Sequence, residues 1–584
     1  LLLRALDDKE ENELVPDKKV LYQFSARGHE LAQILLGHHL THPKDGASAY
    51  YRSRPLMLSL GLPLEDAMAA PMGKSGSYSD GRDIGVVCNM PGKDGPTVLP
   101  MAGDVGSQYT PATGWAQGIE YYRHTLGDEE YDGAISVILG GDGSVATNGF
   151  WSAITMATTL HLPVLFFIED NGYGISVGSE FQTPGSNIAN NLRSFKNLRI
   201  FNGDGTDPEE ASELIHSSVS YVRERKGPAL IRLTVPRLNG HSYQDNQSYK
   251  EDERLEKEKE NDPLGKLKSF VVPDILSEKE WDELDEACRS DVDKTAEKAW
   301  NREDPPVDDV TRHVKSTHND ELQVVGGLRV GGYERPEEKS EPSPEKQRIN
   351  IVEAVRRTLD YELHQNKRLV VFGEDVGAKG GVHAATMGLQ TTHGDDRVFD
   401  TSLSEEGIIG RAVGLAYTGL MPVAEIQFRK YADPATEQLK NCGTIRWRTA
   451  NKFAAPMVVR MPGGFAKCGD PWHSESNEVF FSRMIGWNVA YPSNAEDVVG
   501  LLRSAMRGND PVIFFEHRNL LDAKSARKPY PGDQFVLPFG KASLLNEGDE
   551  LTVVTWGAMC ERCVSAAESA GISADIIDLR TLSP

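Results

Sequence analysis

The sequence predicts an α/β chain of three units, each built on a parallel sheet, with the third unfinished. Short apolar runs of strand length recur along it, among them 134–139 (AISVIL), 164–168 (VLFFI), 369–372 and 512–515 (VIFF). Uniformly apolar runs of that length are the mark of strands buried on both faces of a parallel sheet. Stretches with helical spacing of apolar residues alternate with them. The turns between carry residues able to hold charge or bind metal.

Residues 1–125 mix helical stretches with Gly-rich loops. In 25–37 (SARGHELAQILLG), Gly28-His29-Glu30 leads into Leu31, Ile34 and Leu35 at helical spacing. The cluster 49–54 (AYYRSR) sets two aromatics beside two cations, an anion clamp if a phosphate lies near. Residues 103–120 begin as a polar loop and become a small-residue helix suited to close packing.

The most specific stretch is 141–176, GDGSVATNGFWSAITMATTLHLPVLFFIEDNGYGIS. It reads as strand, turn, helix, strand, turn. Phe150, Ile154 and Ala157 share a helical face with Trp151 beside it; Asn148 is placed to cap the start and Pro163 to stop the end. A right-handed crossover makes the flanking strands parallel, bringing Asp142 and Asn171 to one sheet edge. Both offer hard oxygen ligands, and the helix N-terminus adds positive potential. Mg²⁺ carrying a diphosphate suits this set, because Mg²⁺ takes a few protein oxygens plus phosphate oxygens. A lone GDG would be ordinary turn chemistry; the full spacing through DNGYGIS is far more specific.

Residues 198–235 continue the α/β pattern, with a strand at 229–235 that ends in the polar loop PRLNGHSYQDNQSY carrying His241. From 251 to 345 the chain changes character: charged helices, then the tract ERPEEKSEPSPEKQR, whose charge and prolines make it the linker candidate. A second α/β unit begins at Ile349. Its strand at 369–372 leads into GEDVG and its strand at 398–400 into TSLSEEGIIGRAVGLAYTG. Strands follow at 423–428 and 457–460, His473 lies in the loop CGDPWHSESNE, and 512–515 closes the sheet. A third unit starts near Gly540 with a strand at 551–555, a helix and a strand at 574–579. The chain begins at Leu1 without Met and stops at Pro584 just after that strand, so both ends read as cut.

Composition bounds the function. At 584 residues and 39% hydrophobic content the chain can bury several ordinary cores. No apolar stretch reaches the ~18 residues of a membrane span, and the start lacks a secretion-signal layout. A net charge of −24 argues against sequence-independent nucleic-acid binding, which needs Lys and Arg for phosphates. Six scattered cysteines fit a reducing compartment, so the expected location is cytoplasmic. Cys560-x-x-Cys563 has no second pair nearby and is given no metal or redox role.

Taken together, GHE, YYR, GDG…DNGYGIS and GHSYQD in the first half resemble the α subunit of the thiamine-diphosphate-dependent 2-oxo acid dehydrogenases. GEDVG, LSEEGIIG, AEIQFRKYADPATEQL, HSESNE and IIDLRTLSP resemble the β subunit. The chain is similar to a fusion of the two, nearest the branched-chain 2-oxoisovalerate type. The resemblance implies the thiamine-diphosphate-binding fold twice, at 1–250 and 346–530. Between them, 251–345 is a charged helical segment and linker, and 531–584 is the start of a transketolase C-terminal-like domain.

It also implies residue roles. Mg²⁺ is held by Asp142, Asn171 and the carbonyl of Tyr173, within a cofactor site that includes Gly141, Gly143, Ser144 and Ile175. Tyr51 and Arg52 hold the diphosphate. Glu405 sits against the aminopyrimidine ring and promotes the imino tautomer that activates the thiazolium. A carboxyl in that place must be desolvated to share a proton with the ring. His241 and His473 line the reaction centre, where they position substrate and assist acyl transfer; Gln427 and Tyr431 form a wall of the same site. The implied partner is a lipoyl-bearing dihydrolipoyl acyltransferase, the substrate a small 2-oxo acid, and the assembly a homodimer with two sites. A pyruvate dehydrogenase component, a transketolase-like ketol transferase and a non-catalytic scaffold are the alternatives.

The pattern departs from the family at Glu169, where the mitochondrial branched-chain enzyme carries a phosphate-binding Arg, and at Asp170, where many α subunits carry the first of paired Asn residues. An anion facing inward would repel the diphosphate, so either Glu169 points away or another cation takes the contact. Ser53 follows YYR where fused relatives often have Asp. Ser242 matches a position phosphorylated in mitochondrial relatives and otherwise reads as a plain loop hydroxyl.

Overall fold

The computed structural model describes residues 1–583 except 85–88, 93–94, 318–323, 329–332 and 467–470. The first residues of the loop around His473, 468–470, therefore lie outside the described residues. The chain divides into two units, Leu1–Arg312 with Trp447–Phe453, and His313–Arg446 with Ala454–Pro584.

In the first unit the strands are β1 (Gly46–Ser48), β2 (Thr97–Leu99), β3 (Ser136–Gly141), β4 (Val164–Asp170), the hairpin pair β5 (Tyr173–Gly174) and β6 (Val177–Gly178), β7 (Arg199–Asp204) and β8 (Ala229–Thr234). Six of them make a parallel sheet in the order β2-β1-β3-β4-β8-β7. Val164–Asp170 is buried along its whole length; its apolar run 164–168 accounts for the first five residues, and Glu169 and Asp170 are buried with them. Helices Glu30–His39 and Pro208–Arg223 cover one face, packing Ala32, Leu36, Ile215 and Val219 against Val137, Leu165 and Ile231. A separate core joins the long charged helix Glu278–Trp300, through Val292, Ala296 and Ala299, to Ala5, Leu6 and Met68.

Several boundaries differ from those the sequence implied, each for a local reason. The first strand of the 141–176 motif starts at Ser136 because Asp45 Oδ1 takes the Ile135 N–H at 2.9 Å. It runs on to Gly141, paired with Glu169. The helix Asn148–Leu160 is capped by Thr147, whose Oγ1 accepts from Phe150 N, so Asn148 is its first residue and not its cap. Phe150, Ile154 and Ala157 are fully buried as expected, while Trp151 is exposed. In Glu30–His39 the buried face is Leu31, Ala32, Gln33 and Leu36; Ile34 is exposed. The buried Gln33 explains the rotation, since a polar side chain there is held by the network described below.

The second unit repeats the plan with β9 (Arg348–Ile349), β10 (Leu369–Gly373), β11 (Val398–Asp400), β12 (Met421–Glu425), β13 (Val458–Gly463), β14 (Asn488–Ala490), β15 (Val512–His517), β16 (Lys528–Pro529), β17 (Ser543–Asn546), β18 (Leu551–Thr555) and β19 (Ala574–Asp578). Six form a parallel sheet, β11-β10-β12-β13-β15-β14. The 512–515 strand thus lies inside the sheet. The edge belongs to β14, a three-residue strand too short to show in the sequence. Arg460, fully buried on β13, is held by Glu516 on β15 at 2.7 Å and Glu425 on β12 at 2.6 Å. The strand expected over 423–428 stops at Glu425, because Gln427 turns to donate to Glu374.

The tract 334–348 runs beside 530–536, with Lys339 N, Ser343 N and Glu345 N donating to the carbonyls of Gln534, Pro531 and Tyr530. The last strands form a small sheet in the order β17-β19-β18, its β18–helix–β19 part parallel as expected. β17 adds an antiparallel edge. Cys560 is buried and Cys563 half-buried on the helix Met559–Ala570.

Candidate active site

In an open parallel sheet, ligands lie outside the C-terminal ends of the strands where the strand order reverses. In the first unit β3 has β1 on one side and β4 on the other, so the reversal falls between β1 and β3. Tyr50–Arg52 follow β1, Asp142 follows β3, Asn171 and Tyr173 follow β4, and His241 lies in the loop after β8. These segments line one cavity of about 450 Å³, and every cofactor residue expected in this half is on its wall: Tyr51, Arg52, Gly141, Asp142, Gly143, Ser144, Asn171, Tyr173 and Ile175, with His241 beside them.

The donor set fits a divalent cation. Asp142 is buried, and its Oδ2 has no hydrogen-bond partner among the described residues. Its Oδ1 accepts from Asn171 N at 3.3 Å, which joins the two ligands across the strand ends. Burial, and secondarily the Asp170 carboxylate, push the Asp142 carboxyl up to about 7, a penalty that a bound cation would remove. Gly143 lies so near the hairpin that a Cβ would meet Gly174 Cα at 3.2 Å. Ile175 is held at φ 58°, a costly conformation for a β-branched residue. Its carbonyl is fixed by Arg237 Nη1 at 2.8 Å and Tyr249 OH at 3.2 Å.

Cations and aromatics form the opposite wall. The buried Arg52 donates to Ser25 O at 2.6 Å and His241 O at 2.9 Å. Its guanidinium carbon lies 5.3 Å from the Tyr51 ring centroid. The Tyr51 ring packs 4.6 Å from Phe24 and 5.6 Å from His241, centroid to centroid. Desolvation, then Arg52 and Arg237, lower the His241 imidazole to about 4, so it is neutral at pH 7. Glu169 does not line the cavity. It is fully buried, accepting from Gln33 Nε2 and Tyr50 OH, each at 2.8 Å. Of the two expectations, the structure takes the first: Glu169 points away. Arg237 was not among the expected residues, although the same loop supplies His241; a lone Arg in a polar loop gives no signal by itself. Asp170 pairs with Arg232 at 2.6 Å.

The second unit holds the other expected residues, again at strand ends beside a reversal, here between β10 and β12. Glu405 opens the helix Glu405–Tyr417, with Ser404 as its cap. Glu374 follows β10 and receives the Gln427 amide. Burial, then the Glu405 charge, raise the Glu374 carboxyl. Glu374 Oε1 and Gln427 Oε1 are both buried with no hydrogen-bond partner among the described residues. The orphaned Glu374 and Gln427 oxygens suit the amino-group donor of an aminopyrimidine, and a carboxyl that carries a proton suits its ring nitrogens. Tyr431 OH lies 3.1 Å from His473 Nε2, the Phe428 ring packs tilted against that imidazole at 4.2 Å between centroids, and Arg518 donates to the His473 carbonyl. In this unit Glu374 was not among the expected residues, although it lies within GEDVG.

The description "dehydrogenase E1 component" matches residues 1–308 of this chain. The chain belongs to that family. Its second half matches the transketolase pyrimidine-binding domain over 347–524 and the transketolase C-terminal domain over 540–584. An α-type and a β-type half of an E1 component therefore share one polypeptide. Over 240 residues, 40% of this chain and 73% of the relative, it is 40% identical to the pyruvate dehydrogenase E1 component subunit beta of Acholeplasma laidlawii. It is equally similar, over the same shares, to the 2-oxoisovalerate dehydrogenase subunit beta of Bacillus subtilis. The Pseudomonas aeruginosa 2-oxoisovalerate dehydrogenase subunit beta is 40% identical over 251 residues, 40% of this chain and 72% of its own length. E1 components of this kind are thiamine-diphosphate-dependent 2-oxo acid dehydrogenases, use Mg²⁺ as the usual partner metal and work with a lipoyl acyltransferase. Among the described residues no helix is long and apolar enough to cross a membrane.

Proposed function

We propose that this E1 component decarboxylates a branched-chain 2-oxo acid of the 3-methyl-2-oxobutanoate type and passes the acyl group to the lipoyl arm of its acyltransferase. The observation that carries the chemistry is the orphaned, buried Asp142 oxygen beside Asn171 in a cavity walled by Arg52 and Tyr51. Support for the branched chain comes from the sequence resemblance. Relatives named for pyruvate and for 2-oxoisovalerate match at the same 40% identity, which keeps pyruvate as the second reading.

Bound thiamine diphosphate supplies the nucleophilic carbon and the electron sink. The chain's residues bind, orient and hold protons. Asp142, Asn171 and the Tyr173 carbonyl would hold Mg²⁺, which would bind the phosphate oxygens of the cofactor. Arg52 and Tyr51 bind the diphosphate, and Arg237 fixes the Ile175 carbonyl at the cavity wall. Glu405 would share a proton with the aminopyrimidine, and Glu374, whose carboxyl is raised by burial and then by the Glu405 charge, would lie beside the same ring. His241, neutral at working pH, would hydrogen-bond and orient substrate at the cavity wall without adding a cation. The Tyr431–His473 pair orients the acyl group for transfer.

The purified protein with thiamine diphosphate and Mg²⁺ should reduce an artificial electron acceptor when given 3-methyl-2-oxobutanoate. A pocket discriminates one added methylene by about 1–3 kcal/mol, so kcat/KM for this acid should exceed that for pyruvate by roughly tenfold or more. Preference for pyruvate would reverse the substrate assignment, and no turnover of any 2-oxo acid would end the reading.

A further inference from the structure

Glu169 is a fully buried carboxylate on a strand that ends in the metal loop, yet it faces no ligand. Charges are left in such places only when their geometry is strongly held. Among the described residues it has no Lys or Arg partner. Two neutral donors hold its Oε2 instead, Tyr50 OH and Gln33 Nε2, each at 2.8 Å; its Oε1 has no hydrogen-bond partner among the described residues, with His29 Nδ1 3.4 Å away. Both short arms lead to the same segment. Tyr50 directly precedes Tyr51 and Arg52. Gln33 Nε2 also donates to the Arg52 carbonyl at 3.1 Å, and its Oε1 accepts from Leu56 N at 3.3 Å. On the other side, Glu169 pairs in register with Gly141, the residue before Asp142, and stands two residues before Asn171. His29 Nε2 lies 3.5 Å from Asn171 Nδ2.

We propose that Glu169 is a positioning residue, a brace that locks the Tyr50–Arg52 segment to the strand end carrying Asp142 and Asn171. It acts through Tyr50 and Gln33, so that anion-binding arm and metal loop form one frame. The inference rests on the cofactor reading above. It gives the substitution of an anion for a phosphate-binding cation a use: the charge is withdrawn from the diphosphate and spent on holding the residues that bind it. Preorganisation of this kind lowers the cost of binding without touching the ligand.

The test is the dissociation constant of thiamine diphosphate at saturating Mg²⁺, by calorimetry, for wild type, Glu169→Gln, Tyr50→Phe and the double variant. Tyr50→Phe removes only a hydroxyl and serves if Glu169→Gln does not fold. Each single variant should weaken binding by about five- to tenfold, the range of a lost charge-assisted hydrogen bond. The double variant should be no weaker than Glu169→Gln, because both cut one brace. Val292→Ala, in the other core of this unit, should lower Tm and leave the constant unchanged. With cofactor saturating, KM for the 2-oxo acid should stay within about twofold of wild type. Wild-type binding with Glu169→Gln within twofold overturns the brace alone, as does a constant that weakens with Tm in Val292→Ala. A wild-type protein that binds no thiamine diphosphate overturns the proposed function and the brace with it.

Discussion

At the scale of single residues, burial moves Asp142 up and His241 down from the ordinary values of their types. Asp142→Ala removes the orphaned oxygen and should abolish Mg²⁺-dependent cofactor binding, weakening it by at least about a hundredfold on the magnitudes of lost charged contacts; calorimetry with and without Mg²⁺ reads it directly. His241 titrates near 4 when folded against an ordinary 6.5. Its folded value is depressed, so the unfolded chain takes the proton first. Stability therefore falls as pH drops from about 6.5 to about 4, and the loss is constant below that. His241→Gln should flatten this part of the Tm-against-pH curve. A curve unchanged by that substitution would contradict the assignment. At this scale the sequence was legible where spacing carried information: the nine cavity residues in the first unit came from one motif and one cluster. It was silent on Arg237 and Glu374, whose roles depend on which strand ends lie side by side, and on the direction Glu169 faces.

At the scale of elements, the same device is used twice: adjacent strands diverge at a reversal in the sheet, and polar residues gather beyond their ends. The helix Asn148–Leu160 begins at that edge, and Thr147 caps it there. Thr147→Ala should cost about 1 kcal/mol, seen as a lower denaturant midpoint with an unchanged m-value. In the second unit the buried Arg460 ties three neighbouring strands through Glu425 and Glu516. Arg460→Ala leaves two buried carboxylates unpaired and should cost about 3–5 kcal/mol. Long apolar strands such as Val164–Asp170 were readable from pattern alone. Three-residue strands such as β1, β2, β11 and β14 carry too few side chains to set a period, so only β11, anchored by the motif after it, was found. Ile34 shows the same limit in a helix, because the buried position went to Gln33, whose hydrogen bonds outweigh an apolar neighbour.

At the scale of the whole molecule, one polypeptide carries what reads as two subunits, with a metal and diphosphate site in one unit and a carboxylate pair in the other. The resemblance supplied this organisation; composition alone could not. Sedimentation should give twice the 64.3 kDa chain mass if the protein works as the homodimer proposed, and a monomer at working concentration would oppose it. The central claim is a division of labour, with Asp142 needed to bind the cofactor and Glu405 needed to activate it. Thiamine diphosphate binding and 3-methyl-2-oxobutanoate turnover measured side by side for Glu405→Gln test it most directly. Glu405→Gln should keep a dissociation constant within about threefold of wild type while turnover falls by about a hundredfold or more. Turnover that survives in Glu405→Gln, with the cofactor still bound, would contradict that claim.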